Sequence, residues 1–103
     1  MEYNKALEIV INTIKELNLN REANKQIVPH ADTSLFGPLG VLDSLGLVEL
    51  IVAIEDSVYK DLGIAISLAN VKAISLKNSP FKSIQTLSLY LSDVVKEIQN
   101  GKI

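Results

Sequence analysis

Apolar residues recur at Leu7, Val10, Ile11, Ile14 and Leu17, with Lys5, Glu8, Asn12, Lys15 and Glu16 between them. Spacing of three and four predicts an amphipathic helix, which Asn18 and Asn20 bring to an end. A second run predicts a helix from Ser44 to about Tyr59 or Lys60, with Leu47, Leu50, Ile51, Ile54 and Val58 on one face. A third helix is predicted to start at Ser79-Pro80, because proline suits the first turn, where a missing N–H costs nothing. Ile84, Leu87, Leu91, Val94, Val95 and Ile98 continue its apolar face, and Asn100-Gly101 closes it.

The segments between these helices are less regular. A polar stretch through Arg21, Glu22, Asn24, Lys25 and Gln26 reaches Pro29 and His30, and has room for one short helical turn. Leu35, Phe36, Leu39, Val41 and Leu42 are too apolar for a solvated linker, while Gly37, Pro38 and Gly40 impose turns. An ordered loop is therefore expected to pack over the core and deliver Asp43 to the second helix. Ile64-Ala65-Ile66 is short for a strand, and Ser67 can cap a brief helix through Leu68, Val71 and Ile74. The expected fold is all-α: a small bundle of three long helices and one short one, with a long ordered loop between the first two.

With 103 residues, nearly half of them hydrophobic, residues 1–103 fit a single domain that needs no metal or disulfide to hold its core. The absence of cysteine removes disulfides, thiolate metal sites and a cysteine nucleophile from the chain's own chemistry. A net charge of −2 supplies neither the basic field of a nucleic-acid binder nor a polybasic membrane patch. Glu2, Asn4, Glu8 and Asn12 interrupt the start of the chain, so no signal peptide is expected there, and the apolar runs are too short for membrane insertion. The expected setting is cytoplasmic. Lys72, Lys77 and Lys82 make a mildly basic stretch that reads as solvated surface lysines.

One residue stands out chemically. Asp43 is a good N-cap, which puts Ser44 in the first turn of the second helix, where free N–H groups and the positive end of the helix dipole favour a phosphate ester on its hydroxyl. An exposed hydroxyl at the end of a rigid element would also keep such a phosphate near unsatisfied N–H groups and out of an unpaired burial.

From Gly40 through Leu42-Asp43-Ser44-Leu45 and on to Val48, Glu49, Leu50, Ile51, Ala53, Ile54 and Glu55, the chain resembles the acyl carrier protein family, with its peptidyl and D-alanyl carrier relatives. The likeness is strongest over residues 33–58 and extends more loosely to both flanking helices, in the order of a four-helix carrier fold. Asp43-Ser44-Leu45 matches the motif whose serine bears 4′-phosphopantetheine. The resemblance implies a non-enzymatic phosphoprotein, modified at Ser44 by a separate phosphopantetheinyl transferase that uses coenzyme A and magnesium. It implies acyl or aminoacyl thioesters on the arm's thiol. It also implies a loading ligase and a downstream transferase or synthase as partners, in lipid or secondary-metabolite biosynthesis, with the carrier itself a monomer.

The second helix has another apolar stripe, Leu45, Val48 and Val52, flanked by Glu49, Glu55 and Asp56. A helix with one buried face does not need it. The stripe suits either packing under the loop or, as the resemblance implies, docking on partner enzymes with the carboxylates as a polar rim. The chain departs from fatty-acid carriers in being less acidic and longer, with extra residues bearing Lys72 and Lys77, and in having Gly46 where those proteins often carry an acid. Its wording is closer to stand-alone carriers of specialised pathways.

Other chemistries are poorly supplied. His30 is the only histidine and Ser44 lies in no G-x-S-x-G elbow, which argues against a serine hydrolase. Asp32, His30 and Asp43 have no metal-ligand spacing. The rival reading is a helical interaction module in which the stripe binds a partner and Ser44 stays unmodified. Within the carrier reading, acyl cargo folded inward near Ala53, Ala65 and Ala69 and exposed aminoacyl cargo both remain open.

Overall fold

The computed structural model describes residues 1–68 and 79–101. Three α-helices carry the described chain: α1 over Tyr3–Asn18, α2 over Ser44–Leu62 and α3 over Ile84–Gln99. A single 3-10 turn, Ala23–Lys25, lies between α1 and α2. Two isolated bridges, Ser34 with Ser83 and Phe36 with Leu42, are the only β-type pairings among the described residues, so the architecture is all-α. Ile64, Ala65 and Ile66 form no strand. The brief helix expected through Val71 and Ile74 lies outside the described residues, as do Ala69, Lys72 and Lys77. No helix among the described residues is long and apolar enough to cross a membrane.

The apolar periodicity becomes the core directly. Val10 and Ile14 of α1, Leu50 and Ile54 of α2, and Leu87, Leu91 and Val95 of α3 are all buried in one cluster, and α1 packs against both of the other helices. Burying such aliphatic side chains contributes roughly 1.5–3 kcal/mol each relative to exposure, the main driving force for association of the helices. Hydroxyls inside the bundle are paired: Thr13 Oγ1 donates to Ile9 O at 2.7 Å and lies 3.1 Å from Ser57 Oγ, linking α1 to α2. Ser92 Oγ donates to Met1 O at 2.7 Å, which ties α3 to the chain start.

α2 ends two residues beyond the expected Lys60, at a left-handed Gly63 (φ 67°) whose N–H donates to Tyr59 O at 2.8 Å. Glycine takes this conformation without the steric cost that a Cβ would bring.

The start of α3 corrects the sequence expectation. Ser79-Pro80 does not open the helix; Ser83 is the N-cap, four residues later. Ser83 Oγ accepts from the Thr86 N–H at 3.1 Å and Thr86 Oγ1 accepts from the Ser83 N–H at 3.0 Å, a reciprocal capping box. Ser79 Oγ instead accepts from the Phe81 N–H at 3.1 Å, turning the chain so that Phe81 enters the core edge-on to Tyr90, with ring centroids 5.8 Å apart. Burial of a whole aromatic side chain, roughly 1.5–3 kcal/mol, outweighs a local start signal of about 1 kcal/mol.

Candidate functional site

The connection between α1 and α2 is fastened at three buried residues, Ile27, Leu35 and Leu42. Asn18, at the end of α1, grips Ile27 twice: its Oδ1 accepts the Ile27 N–H and its Nδ2 donates to Ile27 O, both at 2.8 Å. Leu35 donates its N–H to Lys82 O at 2.7 Å, and its own carbonyl accepts the Leu42 N–H at 2.9 Å. Between those two leucines the chain reverses through Gly37 (φ 116°) and Gly40. A Cβ on Gly40 would come within 2.6 Å of the Leu35 carbonyl carbon and of Phe36 N, so only glycine fits that close approach. These contacts deliver Asp43 to the start of α2.

Asp43 has extended backbone (φ −84°, ψ −177°), and its Oδ1 accepts the Gly46 N–H at 2.7 Å while its carbonyl accepts the Leu47 N–H at 2.9 Å. It is therefore an N-cap in geometry as well as in residue type. Ser44 is the first residue of α2 and is exposed. The first N–H groups of a helix have no intrahelical acceptor, and among the described residues nothing accepts from those of Ser44 and Leu45. At the start of α3 the corresponding groups are taken: Ile84 donates to Thr33 O at 3.0 Å and Gln85 to Ala31 O at 2.9 Å. The mouth of α2 thus combines an exposed hydroxyl with unspent donors and the positive end of a helix of 19 residues.

The core face of α2 is buried as expected, and the second stripe is open: Leu45, Val48 and Val52 are 67%, 53% and 57% exposed. Packing under the loop does not account for them. The three carboxylates beside the stripe differ. Glu49 is exposed; Asp56 is exposed and pairs with Lys60 at 2.9 Å. Glu55 is half-buried, and its Oε2 accepts the N–H of buried Leu68 at 2.8 Å, so its charge is engaged inside the fold. Tyr90 donates its hydroxyl to Leu68 O at 3.2 Å, giving that residue a partner on each of two helices. Burial, with a smaller contribution from the charge of Glu97, raises the Tyr90 pKa above the ordinary tyrosine value.

Gly46 is buried. A Cβ there would stand 3.1 Å from Leu42 Cδ2 and 3.2 Å from Asp43 Oδ1, so a side chain at this position would require the Leu42 or Asp43 side chain to give by a few tenths of an ångström. His30 is an exposed loop residue whose Nδ1 accepts the Asp32 N–H at 3.2 Å. No group of three or more metal-ligating side chains forms among the described residues. Ala65 is exposed and Ala53 only half-buried, so Ala65 does not line an interior space.

Beside Ser44 lies a groove of about 460 Å³ that sequence reasoning did not anticipate. Asn20, Arg21, Glu22 and Lys25 line it from the α1–α2 connection, and Val41, Asp43, Leu45, Gly46 and Glu49 from around the start of α2. The Arg21 side chain is held in place by donation from its Nε to Lys25 O at 2.7 Å. The only sequence signal for the first of these sides was a polar, charged connection, which carries no information about what it faces. No family model, curated protein or solved structure matches this chain.

Proposed function

We propose that the protein is a carrier that holds acyl or aminoacyl groups as thioesters on a 4′-phosphopantetheine arm joined to Ser44, and presents them to partner enzymes of a cytoplasmic biosynthetic pathway. The observation that carries this reading is the exposed Ser44 hydroxyl at the capped mouth of α2, next to N–H groups with no acceptor among the described residues. The residues present fit the group. A phosphodiester on the exposed Ser44 would stay in contact with water, close to N–H groups that have no acceptor among the described residues, and would avoid the cost of an unpaired buried charge. The all-α chain is read as the four-helix carrier bundle, with α1, α2 and α3 in its long positions.

In such an attachment Ser44 Oγ would bond to the β-phosphorus of coenzyme A as the phosphoanhydride bond broke, adenosine 3′,5′-bisphosphate would leave, and the hydroxyl proton would pass to a base on the transferase. Bound there, the group supplies the thiol that this cysteine-free chain lacks. Asp43 orients the turn that presents Ser44, and the loop anchors hold Asp43. The exposed stripe of Leu45, Val48 and Val52, rimmed by Glu49 and Asp56, is read as the docking face for the transferase, the loading ligase and the downstream enzyme. Glu55 is assigned to the fold rather than to that rim.

The test is intact mass after incubation with coenzyme A, magnesium and a promiscuous phosphopantetheinyl transferase, with a known carrier as positive control. One phosphopantetheine is expected on the wild type and none on Ser44→Ala. An unmodified wild type would reject the carrier reading and favour the rival that the open stripe also suits, an interaction module with Ser44 unmodified.

A further inference from the structure

We infer that the groove beside Ser44 is a seat for the near half of the arm, so that the pantetheine chain rests against the α1–α2 connection between deliveries. The inference rests on the carrier reading above and adds to it a binding surface made by Arg21, Lys25, Val41 and Leu45.

Position comes first. Asp43 and Leu45, the two chain neighbours of Ser44, both line the groove, so an arm on the serine, which does not itself line it, starts one residue away and enters it by turning over the first turn of α2. At about 460 Å³ the groove falls within the roughly 300–1,000 Å³ typical of small-molecule sites. Gly46, which has no side chain, also lines it.

The lining also matches the chemistry of the group. A pantetheine chain is uncharged, with a geminal dimethyl carbon, a hydroxyl and two amides. Val41 and Leu45 offer exposed apolar surface at the groove, suited to the dimethyl carbon. Arg21 and Lys25 offer donors for the hydroxyl and amide oxygens; Asn20, Glu22 and Glu49 offer acceptors for the amide N–H groups, while the third carboxylate, Asp43, is engaged at the Gly46 N–H. The Nε bond to Lys25 O favours one orientation of the guanidinium in advance, which lowers the ordering cost of a new hydrogen bond. Tethering does the rest: a covalently joined ligand has an effective local concentration on the order of millimolar, so contacts too weak to hold free pantetheine suffice for the attached chain.

The experiment compares amide proton–nitrogen spectra of the apo protein and of the same protein after loading, with a single mass increment on Ser44 verified first. Shifts are expected at Arg21, Lys25 and Val41 as well as at the attachment turn. A spin label on the arm's thiol should broaden the groove amides more than those of Val48 and Val52. In Arg21→Gln and, separately, Lys25→Gln, each loaded to the same extent as the wild type, most of the shift at Val41 should disappear. Shifts confined to residues 43–46, or broadening spread evenly over the surface, would show an arm that swings freely and would overturn the seat while leaving the carrier reading intact. Absence of the mass increment would reject the carrier reading itself, and the seat with it.

Discussion

Replacing Asp43 probes the site and the fold together. In Asp43→Ala the 2.7 Å hydrogen bond to the Gly46 N–H is lost, and with it a negative charge at the positive end of α2. Loss of an N-cap acceptor costs about 1 kcal/mol, and loss of a favourably placed carboxylate roughly 0.3–1 kcal/mol more. The expected destabilisation is therefore about 1.3–2 kcal/mol. For a domain of this size each kcal/mol lowers the melting temperature by roughly 4–8 °C, so a fall of about 10 °C is expected by far-ultraviolet circular dichroism. Asp43→Asn separates the two effects, since its side-chain oxygen can still cap Gly46 without the charge. It should lose only the electrostatic share, and that share should shrink as salt is added, whereas the gap between Asn and Ala should persist. The capped turn also presents Ser44, so phosphopantetheinylation should slow in Ala and be largely retained in Asn. An Ala variant as stable as the wild type, or one modified at the wild-type rate, would refute the argument that the cap organises this turn.

Three further outcomes are expected. Gly40→Ala should destabilise by about 1–3 kcal/mol in urea unfolding, because its Cβ would overlap the Leu35 backbone, and the same change at exposed Gly37 should act through its φ of 116° instead. Glu55→Ala leaves the N–H of buried Leu68 without its acceptor at a cost of about 1–3 kcal/mol; hydrogen exchange at the Leu68 amide should accelerate in Ala and stay slow in Gln, which keeps an acceptor. Tyr90 holds its phenol proton more tightly when folded, so its contribution to stability is fully present below the ordinary tyrosine value and is lost as pH rises through the higher folded value. Denaturation followed above about pH 10 should show this decline in the wild type and a shallower one in Tyr90→Phe.

What the sequence determined by itself was local and periodic. The apolar repeats of Leu7 to Leu17, Leu47 to Val58 and Ile84 to Val95 identify three helices and their core faces, because helix geometry alone decides which residues share a face. The Asp43 cap and the placement of Ser44 in the first turn were equally legible, since a cap acts within three residues. Tertiary structure decided the matters that depend on which segments meet. The start of α3 moved to Ser83 because burying Phe81 against Tyr90 was worth more than a proline at the first turn. Glu55, grouped by spacing with Glu49 and Asp56, turned inward to Leu68, a residue whose proximity no helical repeat encodes. Arg21 and Lys25 reached the edge of α2 only because Asn18 pins Ile27 and Leu35 pins Leu42, drawing a long polar connection back over the bundle. Periodicity specifies a face; the partner of that face is set by the whole chain's competition to bury apolar surface and satisfy its backbone groups at once.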